Sequence, residues 1–185
     1  MPFDQVKEFR SVKIGIILIL LGFLFGLGLG IVFGVFEDNL KDNLKKDAGI
    51  VLQQIYQGDQ AKADKIVSKS WVYIKRAHFH ATGMATIALL LTIIMCRIPV
   101  AESLKKLIAI FFGIGSIGYP LSWLLAGLNA PALGSTGVAK SQLVFLAAPS
   151  IGFYSFGFLV FFALILKILF LHKVDSNEES NQSLI

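Results

Sequence analysis

The chain has 185 residues, of which 55% are hydrophobic and only 16% are charged, and its formal net charge is +5. The charged residues fall between long uncharged stretches, a pattern that excludes an ordinary water-soluble domain and indicates an integral membrane protein. Loops that set membrane orientation commonly leave such a basic excess, so it does not indicate a nucleic-acid partner.

Four uncharged runs predict four transmembrane helices. They cover residues 14–36, 77–96, 107–128 and 141–166. Each reaches the roughly 20 residues that a helix needs to cross a hydrocarbon core of about 30 Å. The period-two alternation that a membrane β-barrel requires is absent. We therefore predict an all-α integral membrane bundle of four transmembrane helices, forming a single membrane domain over residues 1–185.

Basic residues near the span ends predict the orientation in a bacterial inner membrane. The short second loop holds Arg97, Lys105 and Lys106, whereas the third holds only Lys140. Cytoplasmic loops carry the excess of lysine and arginine, so we predict a multi-pass protein with both termini in the cytoplasm. The first run lacks an A-x-A-like cleavage site, so we expect an uncleaved signal anchor. The polar segment 174–185 is predicted to be a disordered tail.

Residues 37–76, between the first two spans, predict an extramembrane helical hairpin. Apolar residues recur at helical spacing in its first half, at Leu40, Leu44, Ala48, Val51, Leu52 and Ile55. Gly58 then marks a stop, and Asp59 is a candidate N-cap for a second helix. The apolar face would either cover the end of its own bundle or dock a partner protein, and Trp71 and Tyr73 lie where an interfacial aromatic belt is expected.

The first span carries a glycine ladder, with Gly22, Gly26, Gly30 and Gly34 four residues apart. Residues at this spacing lie one above another on a helix, so another backbone can approach closely along the stripe. The partner would be another helix of the same chain or a second copy in a homo-oligomer. The third span repeats the spacing of small residues and offers an internal candidate, through Gly118, Ser122 and Ala126.

The spans lack the groups that most membrane chemistry needs. They contain no Asp, Glu, Lys or Arg, the ionisable side chains that ion-coupled transporters and proton relays usually carry within the membrane. The single cysteine, Cys96, allows no intrachain disulfide and no C-x-x-C pair. No set of serine, histidine and acid is evident for hydrolysis. We therefore expect a protein that is not an enzyme.

The segment AHFHATGM places His78 and His80 at the start of the second span. Helical residues two apart point about 200° apart, so the two rings cannot bind one metal from a regular helix. The segment resembles the AHFH helix of subunit I of the haem-copper oxidases, in which two histidines bind different haems. This resemblance covers about eight residues and implies His78 and His80 as cofactor ligands. The only other histidine, His172, is predicted at the opposite end of the bundle, roughly 30 Å away.

Three interpretations of the histidines remain open. Haem b could be held between two copies, each contributing one histidine. Copper could be bound by His80 and Met84, four residues apart on one face, with ligands from elsewhere. Otherwise both histidines are structural, and no cofactor is needed.

The predicted function is that of a structural or accessory component of the inner membrane. Its partners would be the lipid bilayer and a homo-oligomer or larger membrane complex. The chain as a whole resembles small four-helix bacterial inner-membrane proteins without an assigned activity, which implies the four helices and no chemistry. One alternative is a haem- or copper-binding redox protein that uses the two histidines. A second is a pathway for a small uncharged solute past the third and fourth helices, beside Tyr119, Pro120, Ser122 and Tyr154.

Overall fold

A computed structural model describes residues 9–182, with the side chains of residues 9–170. All regular elements in this part of the chain are helices, in agreement with the predicted all-α class. Four of them are long and apolar enough to cross a membrane. The bounds are α1 Lys13–Ile50, α2 Gln60–Cys96, α3 Glu102–Leu133, the short α4 Thr136–Ser141, and α5 Val144–Gln182.

Helix α1 joins the first predicted span to the first half of the hairpin without a loop. Its one residue with non-helical angles is Phe36 (φ −125°, ψ 22°), which is the last residue of that span. The chain then remains helical to Ile50, so the prediction that an amphipathic helix follows directly from the span is confirmed.

The break in the hairpin lies where the sequence predicts it. Residues 51–58 form turns, and Gly58 has a φ of +79°, which favours glycine. Asp59 is the N-cap of α2, and its Oδ1 accepts a hydrogen bond from the N–H of Lys62 at 2.9 Å. The helical hairpin is therefore present in the fold, while its position outside the membrane stays a prediction.

The apolar face of the hairpin packs on its own chain. Leu44 and Ala48 are each 2% exposed and lie in one buried cluster with Tyr56, Ala63, Val67 and Ile74. Phe33 and Leu124 pack against this cluster from α1 and α3. The Tyr56 hydroxyl donates a 2.6 Å hydrogen bond to the carbonyl of Pro131, which ties the turn to the end of α3. The buried part of this face thus covers the bundle, while docking of a partner protein on the hairpin stays a prediction.

Helix α3 is the centre of the bundle and packs against α1, α2 and α5. Half of its most apolar stretch is buried, compared with 11% for α5, which packs mainly on α3. The core between the helices includes Ile19, Met95, Ile108 and Phe112. Alanines provide the close contacts of α2, with Ala77, Ala81, Ala85 and Ala88 all fully buried.

Helix α5 runs through Pro149 and continues to Gln182. Its backbone is thus helical over much of the segment 174–185, for which the sequence predicts disorder. Residues 183–185, and the side chain of His172, lie outside the part of the chain that the structure describes. The disorder of this segment stays a prediction.

Candidate functional site

His78 lies at the contact between α1 and α2. Its Nδ1 is 2.7 Å from the carbonyl oxygen of Gly26. Because a carbonyl oxygen only accepts, Nδ1 must carry the proton and donate. The ring also lies edge-on to Phe33, with 5.8 Å between the ring centroids. His78 is therefore a hydrogen-bonded link between two helices.

The glycine ladder is what allows this link. A Cβ atom on Gly30 would lie 2.9 Å from Cε1 of His78, closer than real Cβ contacts. A Cβ on Gly26 would lie 2.8 Å from the backbone nitrogen of Thr82, so α1 and α2 touch here through their backbones. Gly22 faces Ser116 of α3 in the same way. Gly34 has open space around it.

The ladder meets α3 at Ser116, through Gly22, rather than at Gly118. Gly118 faces Ser150 of α5, and Ser122 is buried and donates a hydrogen bond to the carbonyl of Tyr119 at 2.6 Å. Gly118, which the sequence offers as a candidate partner of the ladder, lies against α5 instead, because a glycine in the central helix can face either neighbour. Sequence spacing does not say which neighbour it faces.

His80 points to α3 rather than α1. Its ring centroid is 5.1 Å from that of Tyr119 and 6.0 Å from that of Trp123. The two histidines thus contact different helices, as their spacing predicts. Met84 lies one turn further along α2, and its carbonyl accepts a 2.9 Å hydrogen bond from the Tyr154 hydroxyl.

Trp123 is surrounded by aromatic rings and basic side chains. Arg76 lies 5.1 Å and Lys140 Nζ also 5.1 Å from its ring centroid. Tyr73 meets the indole edge-on at 4.8 Å, and Arg76 lies 5.7 Å from the Tyr73 ring. Such distances are those of cation–π contacts. We call this group the Trp123 cluster; its members are Tyr73, Arg76, His80, Tyr119, Trp123 and Lys140.

The sequence contains a helical-spacing signal for part of this cluster. Tyr73, Arg76 and His80 are three and four residues apart, which places them on one face of α2. Tyr119 and Trp123 are four apart on α3 for the same reason. Only the fold shows that these two faces meet and that Lys140 of α4 joins them.

A cavity of about 190 Å³ opens beside Trp123, between α3 and the start of α5. Its wall is partly apolar, through Leu143, Val144 and Ala147, and Lys140 lies at its rim. The hydroxyls of Ser122 and Ser141, which line the cavity, already donate to backbone carbonyls, at 2.6 and 2.8 Å. Within residues 9–170, the indole N–H of Trp123 has no hydrogen-bond partner.

Comparisons with family models, curated proteins and solved structures find no match for this chain.

The cofactor hypotheses receive no test from this geometry. The described residues contain no group of three or more His, Cys, Asp or Glu side chains that could hold a metal ion. Copper binding by His80 and Met84, and haem binding by His78 and His80, stay predictions. The solute pathway also stays a prediction, although Pro120 is fully buried and the Tyr154 hydroxyl is engaged with Met84.

Proposed function

We propose that this chain is a non-enzymatic integral membrane protein, a structural or accessory component of the bacterial inner membrane. It spans the bilayer four times, with both termini in the cytoplasm and residues 37–76 on the opposite side. The observation that supports this best is the hydrogen bond of His78 to Gly26. His78 is a candidate cofactor ligand in the sequence, and this bond gives it a role in helix packing instead.

The outer surfaces of the bundle support insertion into lipid. Helices α1 and α5 keep large apolar side chains exposed along their length, among them Leu24, Ile31, Leu159 and Phe162. Water-soluble proteins rarely expose continuous apolar surfaces of this kind. In a bilayer the same surfaces contact acyl chains or the helices of a partner, which fits a component of a larger membrane complex.

Two substitutions of His78 test the packing role. An asparagine amide nitrogen takes nearly the place of Nδ1 and can donate to Gly26, whereas alanine cannot. We expect His78→Ala to lower the free energy of unfolding by about 0.5–2 kcal/mol, the range for hydrogen bonds between membrane helices. His78→Asn should retain most of it. Thermal unfolding of the purified protein in detergent measures both, and equal stability of all three proteins would contradict the proposal.

A second candidate function is the binding of haem b or copper through His78. It is favoured by the same hydrogen bond, since metal-binding histidines usually donate their other ring N–H to a carbonyl or carboxylate. Nε2 would then be the ligand atom, and a second copy would supply the other ligand.

Optical spectra and metal analysis of the same variants separate the two functions. Haem binding predicts a Soret band that both His78→Ala and His78→Asn abolish, and copper binding predicts bound metal that both variants lose. The packing role predicts that neither signal depends on His78. A band or metal content lost in the stable His78→Asn variant would therefore replace our first proposal with the second.

A further inference from the structure

Each of the two tryptophans of the chain has two basic side chains near its ring, and an acidic partner is present for one of the two beside Trp71 but for neither beside Trp123. Trp71 has Lys41 at 5.2 Å and Lys75 at 6.0 Å from its ring centroid, and Lys41 forms an ion pair with Glu37. Arg76 and Lys140 beside Trp123 pair with no carboxylate within the described side chains. The Trp123 cluster therefore carries two positive charges that nothing in this part of the chain balances.

The cluster combines these charges with a place for an apolar chain. Lys140 and Trp123 line the cavity, together with Leu143 in the turn before α5 and with Val144 and Ala147 in the first turn of α5. Arginine and lysine bind phosphate groups through charge-assisted hydrogen bonds. The arrangement is complementary to a molecule with a phosphate at one end and a hydrocarbon chain at the other.

The depth of the cluster in the bundle agrees with this ligand. Tyr73 and Arg76 directly precede the second predicted span, and Trp123 lies within the last turns of the third. Tryptophan and tyrosine at such positions lie at the level of lipid head groups. A phosphate of the surrounding bilayer would thus be at the height of Arg76 and Lys140.

We propose that the Trp123 cluster is a binding site for an anionic phospholipid of the bilayer. Arg76 and Lys140 hold the head-group phosphate, the indole N–H of Trp123 donates to it, and one acyl chain occupies the cavity along Leu143, Val144 and Ala147. This inference rests on the membrane insertion proposed above.

Quenching of Trp123 fluorescence by brominated lipids tests the site. In a Trp71→Phe background, Trp123 is the only indole of the chain. We expect brominated phosphatidylglycerol in phosphatidylcholine nanodiscs to quench it more strongly than brominated phosphatidylcholine at the same mole fraction. In Arg76→Gln/Lys140→Gln, the relative affinity for phosphatidylglycerol should fall roughly 25-fold, or about fivefold for each basic side chain near the surface.

The matched control is Lys41→Gln/Lys75→Gln in the same background. It removes two positive charges from the same end of the bundle, but both side chains lie over Trp71 and neither lines the cavity. We therefore expect a much smaller loss of preference than in Arg76→Gln/Lys140→Gln. A third variant, Ala147→Phe, fills the apolar wall without changing any charge and should abolish the preference. Lys140→Arg should retain it. These variants show whether a loss of binding comes from the site or from misfolding.

Four outcomes would overturn the proposal or its basis. Equal quenching by the two brominated lipids would exclude an anionic-lipid site. Equal losses in the two double variants would reduce it to a general charge effect. Relief of quenching by inorganic phosphate would show that the ligand is a soluble phosphate compound. Absence of quenching by either lipid would instead contradict membrane insertion, and with it the proposed function.

Discussion

Single side chains of this protein join helices by bonding to backbone carbonyls. His78 donates to Gly26, Tyr56 to Pro131 and Lys105 to Cys96, each across a gap between elements. Lys105 is only 5% exposed, although the sequence marks it as a loop charge that sets orientation. Its Nζ lies 3.0 Å from the last carbonyl of α2, where a positive charge also interacts favourably with the helix dipole.

Tyr56 gives the hairpin a dependence on pH. Burial raises the pKa of its phenol, so the folded protein holds this proton more tightly than the unfolded chain does. The corresponding stability is present below about pH 10 and is lost as the pH rises through the folded-state pKa.

Replacing Tyr56 with phenylalanine should remove this contribution. We expect Tyr56→Phe to lower the free energy of unfolding by about 1–2 kcal/mol at neutral pH, because the Pro131 carbonyl loses its buried partner. The difference between the two proteins should shrink above about pH 10 as the wild-type phenol ionises. Chemical denaturation in detergent across this range measures it, and a difference that stays constant would contradict the assignment.

At the scale of elements, small residues decide how closely the helices approach. Periodicity in the sequence predicts the helices, the break at Gly58 and the cap at Asp59, because these depend on local chemistry. It does not predict which neighbour a small residue faces. Gly15 is outside the ladder and lies against Ala109 of α3, whereas Gly34 belongs to the ladder and has open space around it.

Two glycines of one ladder form a matched pair for testing this packing. An alanine at Gly26 would press on the backbone of Thr82, whereas an alanine at Gly34 meets nothing within 4 Å. We expect Gly26→Ala to destabilise the bundle by about 1–3 kcal/mol through overpacking. Gly34→Ala should be neutral or stabilise it by up to about 1 kcal/mol, since alanine favours the helix. Equal effects of the two changes on thermal unfolding would exclude intrachain packing by the ladder.

At the scale of the whole molecule, the four apolar helices form a bundle around α3 with the hairpin across one end. The number of helices that could cross a membrane follows from composition, because a run of uncharged residues long enough to cross a bilayer is a property of the sequence alone. The Trp123 cluster does not follow in this way. Its members come from three helices, α2, α3 and α4, and meet only because the chain after α3 turns back over Trp123.

Labelling of cysteines tests the membrane topology. Cys96 is buried, and an additional cysteine at the exposed Gln54 reports on the hairpin, while one at Ser176 reports on the segment after the fourth span. With four spans the two sites lie on opposite sides of the membrane. We expect a membrane-impermeant maleimide to label Gln54→Cys from outside the cytoplasm and Ser176→Cys only after the membrane is opened. Labelling of both from one side would contradict the four-span topology.

The central position of α3 also makes α5 the helix that the rest of the bundle depends on least. Helices α1, α2 and α3 bury their mutual contacts without α5, which adds mainly to one side of α3. The first three helices therefore have a shared core to which α5 is added on one side. The surface of α3 that packs on α5 includes Gly115 and Gly118, so a chain without α5 would expose a groove at these two glycines that accepts one more helix.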